Sequence, residues 1–232
     1  MLVLATVFLA VCVPYSHGSI CCTPDQFEAF FIFDDANVFI DANAGTAYSY
    51  INSTAQVSYD YTRRVSYLDV SSVELTPLVP QPIVTQYKII NDYVKGIQYQ
   101  FSDVHCDKTN IGTTMQQLCI PDNAIQLTNG FIGKNQTQVV TYQYTYPGSP
   151  YTYTTTINPK ACLPVAQIYL SGDVVPDSGT MNSMLVSDIS LGIKDTSVFI
   201  PPKICLNDKS SRIEKLQLNR VMSRLHKLTR YF

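Results

Sequence analysis

Polar and apolar residues alternate along most of the chain. Val57, Tyr59 and Tyr61 alternate with Gln56, Ser58 and Asp60. Ile97, Tyr99 and Phe101 alternate with Gln98, Gln100 and Ser102, and Tyr142, Tyr144 and Tyr146 with Thr141, Gln143 and Thr145. The same period returns in Ile189, Leu191 and Ile193 against Ser190, Gly192 and Lys194. A strict period of two puts the two sets on opposite faces of a strand. The apolar set is expected in a core and the polar set in solvent, the habit of antiparallel sheets. Turn residues fall between the runs. Pro147-Gly148-Ser149-Pro150 reads as a hairpin between two strands rich in Tyr and Thr, and Lys95-Gly96 marks another turn. Pro77, Pro80 and Pro82 are expected to break the chain between strands. No helical pattern precedes residue 207, and no solenoid or propeller repeat is present. The expectation is one mostly β domain over residues 19–206.

The two ends depart from this pattern. Leu2–Val13 is an uncharged apolar run, too short for the ~20 residues that span a bilayer. Ser16 and Gly18 follow it, so residues 1–18 read as a secretory signal peptide cleaved after Gly18. A buried N-terminal strand is the competing reading. Residues 209–232 carry seven Lys and Arg against Glu214 alone, a net +6. Leu218, Val221, Met222, Leu225 and Leu228 recur there at helical spacing. Residues 207–232 are therefore a basic amphipathic tail, suited to an anionic membrane, an acidic polymer or a partner protein. A frayed, solvated terminus is the plainer reading.

Composition sharpens the compartment. The 232 residues are 46% hydrophobic and 15% charged, which excludes a disordered chain. The net charge of −2 averages the basic tail against an acidic remainder of −8, which argues against a nucleic-acid binder. Removing the signal removes Cys12 from the seven cysteines and leaves Cys21, Cys22, Cys106, Cys119, Cys162 and Cys205. An even set on an oxidising export route implies three disulfides. There is no C-x-x-C pair for zinc. Adjacent Cys21 and Cys22 are poorly placed to bond each other, and spacing alone does not choose among the remaining pairings. Asn52-Ser53-Thr54 and Asn135-Gln136-Thr137 are glycosylation acceptors if they lie on the surface of an exported protein. The protein is expected to be secreted and extracellular.

Little in the chain points to catalysis. Beyond the signal there are two histidines, His105 beside Cys106 and His226 in the tail. No nucleophile elbow, zinc-helix or phosphate-loop motif occurs, so no catalytic residue is assigned and the chain is not read as an enzyme. Asp34-Asp35-Ala36-Asn37 and Asp41-Ala42-Asn43-Ala44-Gly45 raise the question of calcium, since clustered carboxylate and amide oxygens suit a hard cation. The EF-hand spacing fails, because the Gly falls one place early and Asn52 stands where the Glu belongs. An Asx-rich turn between strands is the plainer reading.

Four segments, in order, carry a family resemblance. Asp188-Ile-Ser-Leu-Gly-Ile-Lys-Asp-Thr-Ser-Val-Phe-Ile-Pro-Pro-Lys-Ile-Cys205 resembles the C-terminal signature of the ependymin family. Cys21-Cys-Thr-Pro-Asp-Gln-Phe-Glu28 resembles its N-terminal cysteine motif, with Phe27 where many members have Trp. Tyr59-Asp60 through Arg64-Val65 and Leu68-Asp69 is similar to its first hairpin, and Lys160-Ala-Cys-Leu-Pro-Val165 to its central cysteine–proline motif.

The resemblance implies a secreted, disulfide-bonded, dimeric glycoprotein of two antiparallel sheets. These form an open half-barrel with an apolar pocket, like bacterial lipoprotein carriers, and a C-terminal helix is expected from the tail. It also implies calcium association and a role in extracellular matrix or cell–matrix contact, mollusc mantle and shell secretions included. By the family's pattern Cys106 pairs with Cys205, one of Cys21 and Cys22 with Cys162, and Cys119 with the other. Two functions stay open: a binding module for a lipid-like ligand, and a structural matrix component with no small ligand.

Overall fold

The computed structural model of the chain describes residues 19–41, 45–76, 79–134, 136–146, 149, 151–171 and 178–206. The signal segment with Cys12, the basic tail with His226, and Asn135 lie outside these residues. So do Asn43, Pro77 and most of the Pro147–Pro150 turn.

Thirteen strands follow one another: β1 (Ser19–Cys22), β2 (Gln26–Asp41), β3 (Gly45–Asp60), β4 (Val65–Thr76), β5 (Val79–Asp92), β6 (Ile97–Phe101), β7 (Cys106–Asn110), β8 (Cys119–Pro121), β9 (Ile125–Ile132), β10 (Thr137–Tyr144), β11 (Tyr151–Asn158), β12 (Leu163–Ser171) and β13 (Ser178–Leu191). A 3-10 turn (Thr196–Phe199) and one helical turn, α1 (Lys203–Leu206), close the described chain. Eleven strands form one sheet in the order β7-β6-β5-β4-β3-β2-β13-β12-β11-β10-β9, and β1 pairs with β8 in a second. Neighbours are antiparallel throughout. The large sheet does not close on itself. The expected two antiparallel sheets in an open, mostly β arrangement are thus present, with very unequal shares of the chain.

The spine is the β2–β3 hairpin, in unbroken register from Gln26 opposite Asp60 to Asp41 opposite Gly45. Alternation decides its faces. Phe27, Ala29, Phe31 and Phe33 of β2 and Ala55, Val57 and Tyr59 of β3 enter one core with Leu68, Val70, Tyr87 and Ile89. Segment 111–118 lies over this inner face, with Met115 in the core and Gln116 O accepting from Tyr59 Oη at 3.0 Å. A second inner-face core is built from tyrosine: Tyr142, Tyr144, Tyr153 and Tyr169, with Val140, Ile157 and Ile120. The C-terminal turns cover part of the outer face, where Cys205, Phe199 and Ile204 pack on Val65, Ile90 and Tyr99. Gly96, with φ +67, supplies the left-handed residue that the β5–β6 turn requires.

Three expectations need correction. The polar residues of β6 are not solvated: Gln98 and Gln100 are buried, and it is the apolar set, Tyr99 with Ile97 and Phe101, that meets the C-terminal turns outside. Gln98 is satisfied through Asn91 Oδ1 at 2.7 Å, and Asn91 donates on to Ser66 Oγ at 3.0 Å. Ser58 and Asp60 are likewise buried, because both faces of the sheet are covered there. Leu191 is exposed at the very end of β13. Pro80 and Pro82 lie inside β5 rather than between strands. They are tolerated because β6 pairs only with Lys88–Asp92, which leaves this half of β5 an edge.

Candidate functional site

The register of β10, β11 and β12 sets Tyr144 opposite Tyr153 and Tyr153 opposite Tyr169 on the inner face. The next row runs through Thr155, Gln167, Met184 and Phe33. These two rows form the floor of an apolar cavity of about 70 Å³, with Tyr146, Ile157 and Pro164 beside them. The rings hold each other: Tyr144 stacks on Tyr153 with centroids 5.5 Å apart, and Tyr146 meets Tyr144 edge-on at 5.3 Å. Such pairs add ~0.5–1.5 kcal/mol beyond burial. The Tyr144 hydroxyl is tied as well. Tyr144 Oη and Thr155 Oγ1 are 3.0 Å apart, and Gln167 Nε2 donates to Thr155 Oγ1 at 2.8 Å. Burial pushes the Tyr144 hydroxyl above its ordinary value, so it stays neutral and offers no base.

The roof is Leu118, Cys119 and Ile120, carried by β8 and the residue before it. β8 is held by its pairing to β1, by Tyr146 Oη donating to Cys119 O at 3.0 Å, and by disulfides. Cys22 bonds Cys119 inside that pair, and Cys21 bonds Cys162 in the β11–β12 turn. Cys106 bonds Cys205, pinning α1 to β7. The choice between Cys21 and Cys22, open from the sequence, is settled by register: Cys22 stands directly opposite Cys119 in the β1–β8 pair, while Cys21 points to the other face of β1 and bonds Cys162. Thr23 completes the roof. Its N–H donates to Leu118 O at 2.8 Å, and its Oγ1 is buried with no hydrogen-bond partner.

The acidic run falls elsewhere. Asp34–Asn37 is strand interior, not a turn, so alternation divides it. Asp35 and Asn37 lie on the inner face, where Asn37 Nδ2 donates to Asp35 Oδ1 and Thr180 Oγ1 to Asn37 Oδ1. Asp34 lies on the outer face, where its carboxylate accepts from Tyr50 Oη, from Asn52 Nδ2 at 2.8 Å and from Ser183 Oγ at 3.5 Å. These donors, Tyr50 first, hold its pKa below the ordinary 3.8. A calcium ion is not matched by this set: the oxygens diverge, Asp34 is already engaged, and no three His, Cys, Asp or Glu side chains converge among the described residues. His105 lies 2.9 Å from Asp107 Oδ2, apart from both the cavity and the acidic run. Asn52 sits mid-strand and half-buried; Asn135 lies outside the described residues. Alternation marks Tyr142, Tyr144 and Tyr146 as one strand face, but no local pattern joins them to Tyr153 and Tyr169.

The ependymin family pattern matches residues 81–205. The chain is 30% identical over 174 residues to mammalian ependymin-related protein 1 of Rattus norvegicus, covering 72% of this chain and 71% of that protein. It is 24% identical over 227 residues to ependymin-related protein 1 of Haliotis asinina, covering 88% of this chain and 99% of that one. Among solved structures, a putative outer membrane lipoprotein-sorting protein domain from Vibrio parahaemolyticus aligns over 74% of this chain and 88% of its own. Its identity is 8% and its TM-score 0.22, too loose to carry an argument. No helix among the described residues is long and apolar enough to cross a membrane.

Proposed function

The chain belongs to the ependymin family, and on that premise we propose that it is a secreted glycoprotein that binds an apolar group of an extracellular ligand. What carries this reading is the roofed, tyrosine-lined cavity of about 70 Å³, with Thr23, whose buried hydroxyl has no partner, among its lining residues. An apolar group would fill the space, and a hydroxyl or carboxyl on the same ligand would satisfy Thr23. A ligand pocket usually measures ~300–1,000 Å³. A whole acyl chain therefore requires the β1–β8 roof to shift, and a short apolar end does not. Native mass spectrometry of the secreted protein, before and after lipid extraction and fatty-acid re-addition, tests this. A co-purified or re-bound lipid is expected, and a protein that takes up none refutes the reading.

The small volume itself favours a second reading, a structural component of an extracellular matrix, mantle or shell secretion included, with no small-molecule ligand. Matrix contacts then fall to the acidic body, the glycans at Asn52 and Asn135 and the basic tail, and a homodimer is part of the same proposal. We place calcium association with the glycans rather than with Asp34 or Asp35. Calorimetry on the deglycosylated protein is expected to show no calcium heat.

A further inference from the structure

The outer face of the central strands is more apolar than a solvated surface needs to be. The register sets Leu170, Met181, Ala36, Tyr50 and Leu75 in one row across β12, β13, β2, β3 and β4. Ile168 stands in the next row on β12, and Leu185 in the row beyond it on β13, so apolar side chains lie on both sides of the row of Ser183, Asp34 and Asn52. The six large side chains are each 37–53% exposed. Contiguous apolar surface of this kind is normally covered by something.

The same face carries a glycosylation acceptor near its middle. Asn52 lies in the row Ile168, Ser183, Asp34, Asn52, so Ile168 is three strands away, about 15 Å at ~4.8 Å per strand. Tyr50, Asn52 and Thr54 project to this one side, since alternate residues share a face. Asp34 fixes the site: its Oδ1 takes one hydrogen of the Asn52 amide and also binds the Tyr50 hydroxyl. An N-linked sugar replaces one of the two amide hydrogens and keeps the other. The hydrogen left on the nitrogen is the one that can keep the bond to Asp34. The Tyr50 ring, anchored by the same carboxylate, stands beside the amide as an apolar wall for the first sugar.

We propose that an N-linked glycan on Asn52 is the cover of this outer face, spreading from the polar cluster over the apolar row and keeping it from pairing with a second copy. The inference rests on the secreted-glycoprotein reading above and goes beyond it, because it assigns the sugar a surface and a task. A glycan rooted in the centre of the patch is incompatible with burial of that patch against another protein, so a dimer would use other surfaces. An unglycosylated Asn52 would leave hydrophobic side chains on at least three adjacent strands open to association.

The test uses the full chain secreted from eukaryotic cells. Glycopeptide mass spectrometry reads occupancy at Asn52 and at Asn135 separately, and analytical ultracentrifugation reads association. Thr54→Ala destroys the acceptor while keeping Asn52 and its bond to Asp34. The expected result is high occupancy at Asn52 in the wild type. Thr54→Ala should then form larger, concentration-dependent species that Leu170→Glu with Leu185→Glu abolishes. If Thr54→Ala is not secreted, trimming the wild-type glycans to the first sugar with an endoglycosidase is expected to give the same association. A bare Asn52 overturns the proposal, while occupancy at Asn135 in that sample leaves the glycoprotein reading standing. An occupied Asn52 whose removal or trimming leaves sedimentation unchanged also overturns it. So does a wild-type dimer whose contacts include Leu170 or Leu185, in which case a second copy covers the face.

Discussion

The two inner-face cores of the large sheet are built to different rules. Under β2–β5 the core is mainly Phe, Val, Ile and Ala, and Phe31, Val57 and Ile89 are almost wholly out of water. Under β10–β12 it is mainly tyrosine, with the Tyr144 hydroxyl linked to Thr155 and Gln167. Side chains without polar atoms can interdigitate freely and close up. Tyrosines must also keep their hydroxyls within reach of partners, and that second demand limits how tightly rings can fill space. The cavity lies beside the tyrosines, and its roof is held by Ile120 in the tyrosine core together with the Cys22–Cys119 disulfide. One wing is thus packed dry, while the other keeps a cavity between its rings and the β1–β8 pair.

Breaking the dry wing is expected to cost most. Phe31→Ala should lower unfolding free energy by about 3–5 kcal/mol, read from urea denaturation. A loss below about 1 kcal/mol would mean that this wing is no better packed than the other. Removing the roof strap with Cys22→Ser and Cys119→Ser together should cost about 2–4 kcal/mol and raise binding of a hydrophobic dye. Unchanged dye binding would show that β8 stays seated without its disulfide. The hydroxyls separate the wings more finely. Tyr144→Phe strips a partner from Thr155 and Gln167 and should cost about 1–2 kcal/mol. Tyr87→Phe removes a buried hydroxyl that has no partner, so it should be neutral or stabilising within about 1 kcal/mol. Equal losses in the two variants would erase the distinction.

The smallest expected effects are in pH. Burial raises the hydroxyls of Tyr67 and Tyr93 from an ordinary 10.0 to about 12, and those of Tyr59 and Tyr87 further. Folding thus favours their neutral form. Their contribution is complete below pH 10 and declines as pH rises towards the folded values. Asp34 works in the opposite sense: its folded pKa lies below 3.8, so its contribution is present above that value and lost as pH falls through the folded one. Tyrosine absorbance titration should show the Tyr59, Tyr67, Tyr87 and Tyr93 group ionising late, and Asp34→Asn should flatten the acid limb.

Much of the architecture was legible in the chain. Period two and the turn at Gly96 foretold strands, and the family's cysteine pattern foretold Cys106 with Cys205. The faces were less legible. Alternation tells which residues share a side, but not what lies over that side. Period two places the polar Gln98 and Gln100 in solvent, yet both are buried, Gln98 within a network with Asn91 and Thr109. Asp34 and Asp35 looked like a pair and lie on opposite faces for the same reason that strands alternate.

The strand period and the family are readable in the chain alone, because these are local patterns or ordered motifs. The tertiary structure alone decided which cysteine of the adjacent pair meets Cys119 and where the tyrosines converge. It also decided which apolar row is left facing out beside Asn52. Those outcomes depend on which strands become neighbours, and strand order joins residues such as Cys22 and Cys119, or Ile168 and Asn52, that carry no mark of one another in the chain.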